Sequence, residues 1–172
     1  MWPWHRRFPA VRLIANRENT GFARANNQAV AAASGEYILF LNPDTVMPEL
    51  FLRTVLDWMD AHPEAGALGP RLIDGRGAYA PDGKKRFPTF WVAVAKSLGL
   101  GKLAPRSGVL NGYYAPEVGE RQTAPVEVLS GCCMMVRASA VREAGGAFDE
   151  DYFMYCEDVD LSWRIRQAGY HN

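Results

Sequence analysis

Gly35-Glu-Tyr-Ile-Leu-Phe-Leu-Asn-Pro-Asp-Thr45 is the stretch on which the fold turns. Tyr37 to Leu41 is a continuous apolar run of strand length, which suits a central strand buried on both faces. The run breaks at Asn42-Pro43, where Pro43 fixes φ and removes a backbone donor, so the chain must turn. Upstream, Gly21 to Ala33 is alanine-rich and reads as a helix, with Thr20 as its N-cap and Gly35 placed just past its end as a stop. Val11 to Ala15, before it, is a short β-prone run. Downstream, Pro48 suits the first turn of another helix. Leu52, Val55, Leu56 and Met59 recur there at i, i+3, i+4 and i+7, which turns one stripe toward a core, and His62-Pro63 closes the helix. Strand and helix signals therefore alternate, the pattern of an α/β layer fold with parallel strands.

Beyond this region the pattern loosens. Leu68 to Ile73 is expected as a strand, followed by a turn at Asp74-Gly75-Arg76-Gly77. Trp91 to Leu98 reads as a short amphipathic helix, and Gly99 to Pro125, rich in Gly, Pro and polar residues, as a long loop or lid. Val126 to Leu129 resumes as a strand, and Ser130-Gly131 interrupts it before Cys132 to Val136. Ala138 to Ala144 makes a brief helix ended by Gly145-Gly146. A dense cluster of acids and aromatics follows from Phe148 to Asp160. Leu161 to Ala168 continues as a helix with Gly169 as its stop.

Composition narrows the function classes. The 172 residues carry 19 Lys+Arg and 19 Asp+Glu, a formal charge of zero, with 48% hydrophobic residues. That is a globular composition of one-domain length, residues 1–172, without the basic footprint of a nucleic-acid binder or a polybasic membrane binder. Three cysteines, two of them adjacent, give neither a disulfide framework nor CxxC spacing, and read as small buried thiols of a reducing compartment. The three histidines lack HExxH spacing, so a histidine-built zinc site is not expected. No apolar run reaches the roughly 20 residues that cross a bilayer. The expectation is a cytoplasmic protein, with peripheral contact at the inner face of the membrane left open.

Two acidic sites stand out. Asp44 follows the carboxyl end of an apolar strand, the edge where open α/β sheets bind ligands. A hard oxygen ligand there suits Mg²⁺ or Mn²⁺ bridging a diphosphate, since Mg²⁺ takes only one or two protein carboxylates beside phosphate oxygens. The alternative is a turn carboxylate making local hydrogen bonds, and the residues alone leave both open. Glu157, Asp158 and Asp160 open a helix, where carboxylates also serve as plain caps. Helical spacing separates them. Asp160 has Arg164 four residues on as an ion-pair partner, whereas Asp158 shares a face with Leu161, Ser162 and Ile165 and is free to point inward. Tyr152, Phe153 and Tyr155 beside them could stack on a sugar ring or belong to the core.

Asn19-Thr-Gly-Phe-Ala-Arg-Ala-Asn-Asn-Gln-Ala29, Gly35 to Thr45, Ser130-Gly-Cys-Cys-Met-Met-Val-Arg137, Gly146-Ala-Phe-Asp-Glu150 and Tyr155-Cys-Glu-Asp-Val-Asp-Leu161, in this order, resemble the successive motifs of family 2 glycosyltransferases. The subgroup they look like is the rhamnosyltransferase-like enzymes of bacterial cell-surface polysaccharide synthesis. The resemblance covers about Val11 to the C-terminus. It implies a GT-A (Rossmann-like) α/β sheet with flanking helices and an inverting transfer from a nucleotide-diphosphate sugar, a dTDP- or UDP-sugar, to a hydroxyl of a glycan or lipid-linked glycan. By the same resemblance Asp44 matches the metal-binding aspartate, with Asn42 where other members carry a first acid, and Asp158 matches the general base. Glu157 is implied to orient the site or contact the acceptor. Asn19, Gly21 and Asn26 match a segment near the nucleotide, and Ser130-Gly131 a loop at the donor sugar or acceptor.

Members of that family begin with a strand, helix and second strand that hold the nucleotide base. Only eighteen residues precede Asn19, and a βαβ unit needs about 30 or more. The sequence is thus expected to lack the first βαβ unit and to be a fragment, a late-start gene product or a degenerate copy. Two expectations follow, an inverting glycosyltransferase or a catalytically silent truncated remnant that at most binds diphosphate and metal weakly or contacts another protein.

Overall fold

A computed structural model of the chain describes residues 7–88, 112–115 and 118–172. The elements in chain order are α1 (Phe22–Ala31), β1 (Tyr37–Leu41), α2 (Phe51–Ala61), β2 (Ala67–Leu68), β3 (Leu72–Ile73), β4 (Tyr79–Ala80), β5 (Cys133–Arg137), α3 (Ala138–Glu143) and α4 (Glu157–Gln167). Short 3-10 turns at Pro81–Gly83 and Gly112–Tyr114 complete them.

The main sheet has the order β1-β5-β2, and β5 is antiparallel to both neighbours, from Tyr37 opposite Arg137 to Leu41 opposite Cys133 on one side and Ala67 opposite Val136 on the other. This corrects the expectation of parallel ladders. β1 and β2 do run the same way, joined by the α2 crossover, but β5 is inserted between them. The central strand is also not the one expected. β5 is buried at four of its five positions, whereas β1 lies at an edge of the described sheet and buries only Phe40. Two apolar runs of five residues look alike in sequence, and only pairing order tells the centre from the edge.

β5 also explains the layers. Its alternating side chains send Met134 and Val136 to one face and Met135 to the other. The first face meets Ala23 of α1, Val141 of α3, Leu161 and Ile165 of α4, and Phe40 and Phe148, whose rings lie 4.5 Å apart. The second face meets Val55 and Met59 of α2 with Ala65. Full burial of side chains such as Met134, Leu161 and Ile165 contributes about 1.5–3 kcal/mol each. Arg137, at the end of β5, donates to the carbonyls of Met59, His62 and Ala65 and to the Tyr37 hydroxyl, so it satisfies the carboxyl end of α2 and ties it to the sheet.

Several local expectations need correction. Val11 to Ala15 forms no strand, and Val11, Leu13 and Ile14 are exposed, because no described strand pairs with them. α1 is capped by Gly21 rather than Thr20 and ends at Ala31, so Gly35 does not terminate it. In α2, Leu52 faces solvent while Phe51 and Trp58 join Val55 and Met59 on the core side, and Pro48 precedes the helix rather than entering it. Leu68 to Ile73 splits at Gly69-Pro70, where the proline removes a ladder donor, into β2 and the β3 to β4 hairpin. Val126 to Leu129 is no strand and makes a single bridge, Val128 to Lys85. Trp91 to Leu98 and most of the Gly99 to Pro125 loop lie outside the described residues. The turn at 74–77, the Gly145-Gly146 stop and the Gly169 stop all hold, with Gly77, Gly145, Gly146 and Gly169 at positive φ.

Candidate active site

The segments singled out in the sequence meet at the carboxyl end of β1. The Asn42 N–H donates to the Cys132 carbonyl at 2.8 Å, which joins the first residue past β1 to the last residue before β5. The Thr45 N–H and hydroxyl both return to the Asn42 carbonyl, at 3.2 and 2.6 Å, and close a tight turn around Asp44. Asp44 itself is exposed, and its side chain has no hydrogen-bond or ion-pair partner among the described residues. The turn is therefore held by Thr45, and the Asp44 carboxylate faces solvent.

One residue before Cys132, the Gly131 N–H donates to Asp158 Oδ2 at 3.3 Å. A Cβ at Gly131 would meet the Asp158 Cβ at 3.5 Å and the Phe22 ring at 3.7 Å, so the starts of α1 and α4 and the loop before β5 share one neighbourhood. Ser130 sits at its rim, with its hydroxyl 3.3 Å from Cys132 Sγ. Asn19 accepts the Gly21 N–H at 3.0 Å, a local turn that aims the chain into α1, and the Phe22 N–H then donates to the Phe153 carbonyl at 3.0 Å. Asn26 is not turned toward this neighbourhood by its amide, which donates to the Phe22 carbonyl within α1.

α4 is launched by two residues in the left-handed region, Tyr155 and Cys156, at φ of 70° and 72°. Such backbone costs on the order of 1–3 kcal/mol per residue and persists where its surroundings impose it. The launch leaves Tyr152, Phe153 and Tyr155 exposed, which excludes the core reading of these aromatics. Cys156 is exposed as well and Cys132 half-buried, so only Cys133, whose thiol burial pushes up to about 11, fits the expectation of a buried thiol. The acids divide as their spacing implies. Asp160 pairs with Arg164 at 2.7 Å, and the same guanidinium donates to the carbonyls of Ala144, Gly146 and Ala147. Asp160→Asn should cost about 1 kcal/mol, a melting shift of about 2–4 °C, and leave ligand binding untouched, which thermal unfolding beside a binding titration would check.

Asp158 points inward as expected, but it is not free. Lys85 Nζ lies 2.9 Å from its Oδ2, and the two side chains are 10% and 13% exposed. Lys85 is anchored through its backbone, which exchanges hydrogen bonds with Val128 at 3.0 and 2.9 Å. The sequence offered no signal for this contact, since Lys84-Lys85 reads as an ordinary basic pair 73 residues from its partner. Burial alone would lower the Lys85 ammonium, and the Asp158 carboxylate more than offsets it, so the lysine holds its proton above the usual range. The pair's stabilisation is then fully present below the ordinary lysine range and is lost as pH rises through the raised value. Glu157 is buried, with Oε2 unpartnered among the described residues, and desolvation raises its carboxyl. The Arg86 N–H donates to the Tyr113 carbonyl at 2.8 Å, which brings part of the long loop beside Lys85.

No group of three or more His, Cys, Asp and Glu able to hold a metal ion lies among the described residues. The chemistry of Asp44 still fits a hard divalent ion that takes one protein carboxylate and completes its shell with ligand oxygens and water.

Residues 3–145 match the family described as glycosyl transferase family 2. An N-acetylglucosaminyl-diphospho-decaprenol L-rhamnosyltransferase of Mycobacterium tuberculosis is 35% identical over 95% of this chain and 56% of its own length. Rhamnosyltransferase WbbL of Escherichia coli strain K12 is 32% identical over 87% of this chain and 55% of its own, and a pre-mycofactocin glycosyltransferase of M. tuberculosis is 27% identical over 92% and 29%. The chain spans about half the length of the first two. A match of this extent, falling on a sheet whose end gathers the same segments, makes the chain a member of glycosyl transferase family 2, with its GT-A α/β fold.

Proposed function

We propose that this chain carries the catalytic centre of an inverting glycosyltransferase, which moves a sugar from a nucleotide-diphosphate donor to a hydroxyl of a lipid-linked or cell-surface glycan. The two rhamnosyltransferases among its relatives favour rhamnose as that sugar, carried on a dTDP- or UDP-donor, and the decaprenol-linked substrate named for one favours a lipid-diphosphate acceptor. The observation that carries the reading is the short path Asp158, Gly131, Cys132, Asn42. A nearly buried carboxylate and an exposed one, Asp44, are linked across one sheet end by the Gly131 N–H bond to Asp158 Oδ2 and the Asn42 N–H bond to the Cys132 carbonyl.

In the reaction the acceptor O–H bond breaks as its oxygen bonds the anomeric carbon, and the proton passes to Asp158. The bond from that carbon to the diphosphate oxygen breaks on the opposite face, with its electron pair leaving on the diphosphate. A divalent ion, Mg²⁺ or Mn²⁺, held by Asp44 would offset the charge that develops there. Asn19, Gly21 and Asn42 form the donor side, with Asn26 behind them in α1, while Ser130, Gly131 and Glu157 line the acceptor side. The decaprenol-linked substrate named for one relative supports peripheral contact with the bilayer that would hold the acceptor, and the reading places the work at its cytoplasmic face.

Calorimetric titration with dTDP- and UDP-sugars, with Mn²⁺ and with EDTA, tests this. Wild type should bind one of them in a Mn²⁺-dependent way. Asp44→Ala should weaken that binding roughly tenfold or more, and change little in EDTA. No metal-dependent binding by wild type would leave the silent remnant as the reading.

A further inference from the structure

The geometry points to Lys85 as the positioning residue of the proton-accepting carboxylate. Lys85 and the Gly131 N–H together hold Asp158 Oδ2, which leaves Oδ1 as the oxygen that takes the acceptor's proton. Among the described residues the hydrogen bonds Asp158 receives both end on Oδ2, from Lys85 Nζ at 2.9 Å and from Gly131 at 3.3 Å. Two donors on one oxygen fix both the rotation of the carboxylate and the direction of its other oxygen.

A charged donor is the right kind of partner here. A carboxylate with this little exposure is costly to keep charged unless a cation stands beside it, and it must be charged to accept a proton. Lys85 is itself 8% exposed and supported by the Val128 bridge, so its ammonium has little freedom to swing to other acceptors. The other titratable groups that face it are Glu157, Tyr113 and Asp82, and Asp158 is the one it bonds through its side chain. Lys84, its sequence neighbour, points elsewhere and donates to the carbonyls of Gly119 and Gln122.

The inference rests on the transferase reading, and two measurements on the whole protein separate the two. The first needs no turnover. The Lys85 ammonium is followed by NMR through its own titration in wild type and in Asp158→Asn. In wild type it should keep its proton to higher pH, and in Asp158→Asn burial is opposed by the weaker pull of Tyr113 and Asp82 and no longer by Asp158, so it should release the proton earlier. Identical titrations would overturn the positioning role whatever the activity. The second is transfer kinetics of Lys85→Met and Lys85→Arg with a dTDP- or UDP-sugar and a diphosphoprenol-linked N-acetylglucosamine acceptor. Lys85→Met should lose kcat on the order of 100-fold with donor KM nearly unchanged, and Lys85→Arg, which keeps the charge, should recover much of it. A parallel rise in donor KM would make Lys85 a diphosphate contact instead. Equal defects in Met and Arg would make it a packing element, and either result overturns the proposal. Absence of transfer by wild type would defeat the transferase reading and the inference with it.

Discussion

Asp158→Asn is expected to abolish sugar transfer while leaving donor binding largely intact. The substitution keeps the shape of the side chain, and the new amide oxygen can still accept the Gly131 N–H, so the loop before β5 has no reason to move. What disappears is the capacity to take a proton, and a positioned base contributes on the order of 10²–10⁴ in rate. The Lys85 ammonium is meanwhile left without its counter-charge, a loss of about 3 kcal/mol in melting experiments. Donor binding is therefore the control that separates failed chemistry from failed folding. Asp44→Ala should do the reverse and act on metal-dependent donor affinity. Equal loss of donor affinity in the two variants would merge the roles assigned to the two carboxylates.

What the sequence revealed of this site, and what it hid, follows from the range of each interaction. The Asp160 to Arg164 pair spans one helical turn, and spacing alone identified it. The inward face of Asp158 followed from the same periodicity, because Leu161, Ser162 and Ile165 are buried along that stripe. The Lys85 contact joins residues far apart in the chain, and no local pattern encodes it. The same division runs through the fold. The helices α1, α2 and α4 and the stops at Gly145-Gly146 and Gly169 were legible because periodicity and glycine stops act within a few residues, although the cap and stop expected for α1 at Thr20 and Gly35 were misplaced. The insertion of β5 between β1 and β2 was not, because ladder order is set by which surfaces both layers of helices can cover. Asn26 shows the converse. Its motif position suggested a ligand contact, yet its amide is engaged by a carbonyl one turn back.

The largest structural effect away from the chemistry is expected at Gly21. This residue adopts φ 80° and ψ 172°, a region essentially restricted to glycine, and it replaces the expected threonine as the residue that starts α1. A Cβ there would stand 2.6 Å from the Phe153 carbonyl oxygen and 2.8 Å from its ring. The carbonyl has little room to withdraw, because it already accepts the Phe22 N–H. Gly21→Ala thus combines backbone strain with a clash against main chain, about 3 kcal/mol in all, or a melting temperature lower by about 6–12 °C. It should also weaken donor binding, since Phe153 links the start of α1 to the segment that launches Asp158. Gly75→Ala is the matched control, because a Cβ in that turn meets nothing within 4 Å, and it should stay within about 0.5 kcal/mol of wild type. If both variants melted together with wild type, the joint between α1 and α4 would not depend on close approach at Gly21. The alignment of donor and acceptor sides would then have to come from the Asn42 to Cys132 link alone.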